Sequence, residues 1–310
     1  MNQEKRNKAL VASLGGLLLL ALVLFFYQSD RQEVDKNIFK VSDLSLVDRV
    51  VLSSDGGEIE LSFTGSKWLV NQNQQADEQL ITVLFATLQQ AEPKRQVANS
   101  LKDSISAMLV KKGVQVDLFQ GDDLVKRFYA GGNTAKTEAY FMDDQLGPYV
   151  MTIPGYRVYV SGIFEVDTRG WRDKRIFNFN WRNFKKLEAE FSKQPNQNFT
   201  IEDQGPGFEL VNSPPSDTTK LNDYLDAVSL LVAKQYLPSG HEPLYDSLLQ
   251  TSPLATIRVY DLGDHALILE LFPPLDRDPD VLGRLNGTDS VLFGREQVIP
   301  ILKKRDYFKK

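Results

Sequence analysis

A chain of 310 residues, 42% hydrophobic and 25% charged, has the length for about two domains and the apolar content for proper cores. Its formal net charge of −5 lacks the basic footprint that a nucleic-acid partner requires. The absence of cysteine excludes disulfides, thiolate metal sites and cysteine nucleophiles together.

Ala9 to Tyr27 is a run of 19 residues without a charge. Roughly 20 such residues cross a bilayer as a helix, so the run predicts an N-terminal transmembrane helix over 9–27. Lys5, Arg6 and Lys8 precede it, and Asp30, Glu33 and Asp35 follow with Arg31 and Lys36. The positive-inside rule makes 1–8 a cytoplasmic tail and sends the remainder across the membrane. A cleaved signal peptide has an apolar region of about 7–15 residues and a small-residue cleavage site. This run is longer and ends Phe25-Phe26-Tyr27, so it reads as an uncleaved anchor. Residues 28–37 form a tether that spans at most about 35 Å when extended.

The first α+β unit is expected over 38–168. Val47 to Ser53 and Glu58 to Phe63 read as strands around the turn Asp55-Gly56-Gly57, and Lys67 to Val70 as a third. Asp77 is an N-cap candidate for a helix bearing Leu80, Ile81, Leu84, Phe85 and Leu88 at helical spacing. A second short helix fits Ser100 to Lys111, and a hairpin follows, Val114 to Phe119 and Leu124 to Ala130. The same order returns roughly 140 residues later. Phe184 to Phe191, Asn198 to Glu202 and Gly207 to Val211 read as strands. A helix from Asp217 carries Leu221, Tyr224, Leu225, Val228 and Leu231. Leu244 to Gln250 is a short helix, and Leu254 to Tyr260 with Ala266 to Leu271 a hairpin. The fold class is therefore α+β: an N-terminal transmembrane helix, then two tandem, topologically similar units with mainly antiparallel sheets. The units are expected over 38–168 and 184–310, joined by a bridge over 169–183. The first unit is expected to hold extra strand material, Tyr140 to Val160, where the second has the Pro-rich stretch Phe272 to Asp289.

Several features together resemble the bacterial membrane-anchored proteins catalogued as domain of unknown function 4340, in particular its Bacteroidetes-type members. They are the basic N-terminus and single span, Lys67-Trp-Leu-Val-Asn71 with the helix after it, Gly155-Tyr-Arg-Val-Tyr159 and Trp171-Arg-Asp-Lys-Arg-Ile-Phe177. The resemblance covers nearly the whole chain; it is to a family with no established enzymatic activity and no assigned functional residues, so none is carried over. It implies an accessory role beside ABC-transporter components, in the bacterial inner membrane with a periplasmic body.

No catalytic constellation emerges from the residues. Only His241 and His265 exist, without the spacing of a two-histidine zinc site and without a Gly-x-Ser-x-Gly elbow. Ala130-Gly-Gly-Asn-Thr-Ala-Lys-Thr137 departs from a phosphate-binding loop: Ala135 stands where glycine must precede the lysine, and a strand follows instead of a helix. Asp276-Arg-Asp-Pro-Asp280 has the alternating carboxylates of a calcium loop but lacks its glycine and glutamate, so it reads as a solvated acidic loop. No cofactor or metal is expected.

The bridge carries the candidate interaction residues Arg169, Trp171, Arg172 and Arg175. Tryptophan among arginines fits a docking spot, since both are enriched in binding hot spots. It fits equally a glue between the halves, with Trp171 buried and the arginines paired to carboxylates; this second reading is preferred. The expected function is a non-enzymatic, membrane-anchored scaffold for another membrane or envelope protein, an ABC-transporter component by resemblance. The alternatives are a periplasmic module binding a peptide or glycan between the units and, further off, a hydrolase with hidden carboxylates.

Overall fold

The computed structural model describes residues 11–23, 34–177, 179, 182–205, 207–238, 240 and 243–310. Residues 11–23 form an α-helix, α1, in which every side chain is exposed. Among the described residues no helix is long and apolar enough to cross a membrane. The tail 1–8, the ends of the expected span at 9–10 and 24–27, the tether residues 28–33 and His241 lie outside the described residues.

The rest is α+β, built on two antiparallel sheets. The first contains β1 (Arg49–Ser54), β2 (Gly57–Phe63), β3 (Trp68–Val70), β4 (Gln74–Gln75), β5 (Glu92–Gln96), β6 (Val114–Gln120), β7 (Asp123–Gly132), β8 (Ala139–Asp143) and β9 (Gly147–Thr152). Its spatial order is β4-β3-β2-β1-β6-β7-β8-β9-β5, with α2 (Glu78–Gln90) and α3 (Asn99–Lys112) as its helices. The second contains β10 (Phe184–Glu190), β11 (Phe199–Asp203), β12 (Phe208–Leu210), β13 (Gln235–Tyr236), β14 (Ala255–Asp261), β15 (Ala266–Leu271), β16 (Asp280–Leu285) and β17 (Asp289–Gly294). It runs β12-β11-β10-β14-β15-β16-β17-β13, with α4 (Thr218–Ser229) and α5 (Pro243–Leu248). Apart from β4, the two orders superimpose strand for strand.

Residue-level equivalences follow from pairing. Leu61 lies opposite Val70, and Ile201 lies opposite Leu210. Asp77 and Asp217 cap their helices alike: the carboxylate of Asp77 accepts from the N–H groups of Gln79 and Leu80 at 2.9 and 3.1 Å, and that of Asp217 from Thr219 and Lys220 at 3.0 and 3.2 Å. Such caps satisfy amide groups that a helix start would otherwise leave unpaired. Ile81, Leu84 and Leu88 are buried along α2, as are Leu221, Tyr224 and Val228 along α4.

Each sheet has its own core. Leu52, Leu61, Val116, Phe128, Phe141 and Phe164 centre the first, and Phe184, Leu187, Ile201, Tyr224 and Phe293 the second. On the opposite face α3 seats Leu109 against Tyr140, Met142 and Val150, while α5 covers Phe272, Leu282 and Leu292 with Tyr245 and Leu248.

Two sequence expectations need correction. The strands β8 and β9, read as extra material in the first unit, have counterparts in β16 and β17. Pro273, Pro274 and Pro279 lie in the connection after β15, leaving 280–285 and 289–294 free to pair. The edge strands β5 and β13 were not anticipated. β5 reads Glu-Pro-Lys-Arg-Gln, a charged segment with proline at a register shift, which suits an edge and hides the alternation that signals a strand.

Candidate functional site

Residues 169–176 run between the two sheets and belong to both. The Trp171 side chain is fully buried in the first core. Its carbonyl accepts the N–H of Asp77 at 2.8 Å, just as the carbonyl of Phe308 accepts the N–H of Asp217 at 2.9 Å. Isolated bridges repeat the match, Ala76 with Arg172 and Ser216 with Lys309. Trp171 and Phe308 are thus equivalent aromatic plugs, each packing its unit shut beside the capped helix start. The indole N–H of Trp171 has no hydrogen-bond partner among the described residues.

Past Trp171 the backbone changes sides. The Asp173 N–H donates to Gln75 O at 2.8 Å, on the first sheet. The Ile176 N–H then donates to Leu231 O at 3.0 Å, and Lys174 O accepts from the Ala233 N–H at 2.7 Å, on the segment between α4 and β13 of the second unit.

Side chains reinforce this seam. Arg172 forms a two-pronged contact with Asp289 at 3.2 and 2.7 Å, and its guanidinium stacks 3.8 Å from the centre of the Tyr236 ring. A planar fork that stacks and pairs at once is a geometry lysine does not reproduce. The Tyr236 hydroxyl donates to Asp173 O at 2.9 Å, and burial pushes its phenol above the ordinary range. Arg175 is held by Asp173 at 2.8 Å and approaches Glu78 at 3.6 Å. The hydrogen bond to Asp173 raises the affinity of its guanidinium for its proton. Arg169 is exposed and pairs with Asp167 at 2.8 Å. It also lines a pocket of about 430 Å³ with Lys174, Lys234, Tyr236, Leu237 and Pro238. Of the four candidate residues, then, Trp171 enters a core, Arg172 and Arg175 make seam contacts, and Arg169 faces a pocket. Replacing Arg172 by alanine is expected to cost about 2 kcal/mol, from two charge-assisted hydrogen bonds in a partly exposed setting. Hydrogen exchange should read it as faster exchange of the amides of Ile176 and Ala233, with the strand amides of β1 and β10 unchanged.

The other sequence candidates resolve into structural roles. In the glycine-rich segment, Gly131 and Gly132 end β7, and Asn133 closes the turn by accepting from the Thr137 N–H at 2.8 Å. A Cβ on Gly132 would meet the Tyr159 ring at 2.4 Å and Glu138 O at 2.5 Å. Gly132→Ala is therefore expected to destabilise by about 1–3 kcal/mol in urea unfolding. The hydroxyl of Tyr159 donates to Glu165, which also pairs with Lys136 at 2.9 Å. Burial, followed by that contact, pushes the Tyr159 phenol well up.

His265 sits 3.0 Å from the Asp261 carboxylate at the β14–β15 turn. The same carboxylate accepts the N–H groups of His265 and Gly263, and these bonds, His265's foremost, hold it below the usual range. That arrangement closes a hairpin. In the acidic loop, Asp278 accepts from the Tyr245 hydroxyl at 2.6 Å and Asp280 pairs with Lys234 at 2.7 Å, so the carboxylates diverge. Among the described residues no group of three or more His, Cys, Asp or Glu side chains is arranged to hold a metal ion.

Sequence reasoning missed Asp289 and Tyr236. No local signal identifies either one: Asp289 stands 117 residues from its arginine.

The family model described as Domain of unknown function (DUF4340) matches residues 68–250. The chain belongs to this family. The match runs from β3 of the first sheet to just beyond α5 of the second, and so holds residues 169–176, Leu231, Ala233 and Tyr236 of the seam, while Asp289 lies beyond it. No curated protein and no solved structure is significantly similar to the chain.

Proposed function

We propose that this chain is a single-pass membrane protein of the bacterial envelope whose duplicated body serves as a non-enzymatic scaffold for another membrane protein. An ABC-type transporter component is the partner that the resemblance favours. The observation that carries the reading is the coupling of an uncharged apolar run to a body joined through its own seam. The described part of that run, 11–23, is helical, with Leu14, Leu17, Leu18, Leu19 and Leu20 exposed and, among the described residues, nothing within 4 Å of a Cβ placed on Gly15 or Gly16. A helix apolar all round suits lipid better than water. Phe39, the first core side chain after the tether, then ties the anchor to the first sheet.

Charged groups in the body support the scaffold reading over catalysis. At the seam and in the β14–β15 turn the shifted groups are tied into the fold, Tyr236 and Arg175 by Asp173 and Asp261 by His265. The pocket beside Arg169 and Lys174 is what favours the second reading, a module that binds an anionic peptide or glycan between the units.

Alkaline carbonate extraction of native membranes tests the anchor: the chain is expected in the pellet, and release into the supernatant overturns it. Crosslinking before detergent extraction tests the scaffold. Enrichment of a polytopic membrane protein supports it. Recovery of this chain alone, with isothermal titration showing an anionic glycan or peptide bound, favours the second reading.

A further inference from the structure

The approach to each unit carries the same signature, Asp-Lys-x-Ile-Phe. Asp35-Lys-Asn-Ile-Phe39 leads into the first and Asp173-Lys-Arg-Ile-Phe177 into the second. Each aspartate accepts the N–H two residues on, that of Asn37 at 2.9 Å and that of Arg175 at 3.0 Å. Phe39 and Phe177 are each buried in the core of their own unit. Lys36 and Lys174 are therefore equivalent, and one lysine serves as the control for the other.

The segment after the long helix is equivalent as well. Counted from the caps Asp77 and Asp217, Glu92 falls where Val232 does. Strand pairing agrees: Arg95 lies opposite Val150 and Gln235 opposite Leu292, each the fourth residue of its strand. In the first unit Lys36 pairs with Glu92 at 3.1 Å. In the second unit valine stands in place of that carboxylate. Among the described residues the Lys174 ammonium has no ion-pair or hydrogen-bond partner.

Lys174 is half-buried and lines the pocket of about 430 Å³ beside the seam. The other cations of that pocket already hold carboxylates. Arg169 pairs with Asp167 at 2.8 Å, and Lys234 with Asp280 at 2.7 Å. Asp167, which also lines the pocket, accepts the Gly170 N–H at 2.7 Å. Lys174 is thus the cation left to meet a ligand, in a recess whose neighbouring positive charges concentrate the attraction for an anion.

We infer that this pocket takes a side-chain carboxylate from an acidic segment of the membrane protein that the scaffold serves, with Lys174 as its contact. The first unit shows the chemistry of the occupant: what meets Lys36 there is a glutamate on a protein strand. Leu237 and Pro238 on the same wall offer apolar surface to the methylene groups that carry such a carboxylate. The inference rests on the scaffold reading and gives the scaffold a docking point.

The probe is fluorescein-labelled hexaglutamate, titrated by fluorescence anisotropy into the full chain in detergent micelles. Saturable binding is expected, weakening as salt rises. Lys174→Gln should weaken it about tenfold or more, the loss of one charge-assisted contact. Lys36→Gln removes the equivalent charge from the first unit and should leave the affinity unchanged. Val232→Glu copies the first unit's ion pair, so it should occupy Lys174 from within the chain and weaken binding as Lys174→Gln does. Unchanged hydrogen exchange at the Ile176 and Ala233 amides checks that the seam is intact in each variant.

Absence of saturable binding overturns the inference, and so does equal affinity of the wild type and Lys174→Gln. Equal losses in Lys36→Gln and Lys174→Gln overturn it too, since the peptide then senses overall charge. Lys174-dependent binding of trigalacturonate in preference to hexaglutamate overturns it in favour of a glycan. Crosslinking in native membranes separates the two readings: a polytopic partner recovered equally with the wild type and with Lys174→Gln keeps the scaffold and removes this docking point.

Discussion

Trp171→Ala is expected to destabilise the chain by about 3–5 kcal/mol, the range for emptying a buried aromatic site in a packed core. The side chain is fully buried, and the backbone at that residue holds the cap residue of α2. The cavity therefore opens where the helix start, the sheet edge and the seam converge. Trp171→Phe should cost far less, because the indole N–H has no partner to lose. Phe308→Ala is the matched experiment in the second unit, where that ring sits 4.9 Å from Phe199 and 5.4 Å from Tyr224. Urea unfolding followed by hydrogen exchange distinguishes the two. Trp171→Ala should lower protection in β1 and β6 first, and Phe308→Ala in β10 and β14. Loss of protection spread evenly over both sheets in each variant would show the plugs serving one shared core.

Phe39→Ala is the second large effect, again about 3–5 kcal/mol. Its ring meets Phe128, Phe141 and Tyr149 edge-on at 5.9, 5.5 and 6.0 Å, and such pairs add to the burial they accompany. Two polar contacts guard the same segment. Lys126 Nζ donates to Ile38 O at 2.6 Å, and Lys36 pairs with Glu92 at 3.1 Å. Removing the ring should therefore do two separable things: lower the unfolding midpoint, and expose residues 34–47 to protease while the sheets remain folded. Phe39→Leu should keep the segment resistant. Unchanged proteolysis of Phe39→Ala would mean that the polar contacts alone hold it.

The duplicated order of elements is legible in the sequence, and the reason is physical. Asp77 and Asp217 each head an amphipathic run, and both hairpins have turns rich in glycine and aspartate, so local chemistry states the order twice. What was hidden is nonlocal. The counterpart of β8 lay masked behind Pro273, Pro274 and Pro279, because a connection and the strand after it share one stretch of sequence. β5 was invisible because an edge strand need not alternate. At the candidate site, the composition of 169–175 drew notice to four residues, yet nothing local distinguished the buried one from the exposed one. Pairing decides that. Trp171 is in the core because Asp77 reaches its carbonyl, and Arg172 finds Asp289 only once both sheets have formed.

Duplicating a sheet also duplicates its raw edges, and an open strand edge invites addition of foreign strands in a crowded compartment. Here the connecting segment lies along the β4 edge of the first sheet, offering Asp173 to Gln75, and then pairs Ile176 and Lys174 with Leu231 and Ala233 in the segment that leads into β13. The chain thus blunts one of its own open borders, the β4 edge, with the stretch that joins its units. The seam that positions the units is, by the same hydrogen bonds, a safeguard against misassembly between neighbouring copies.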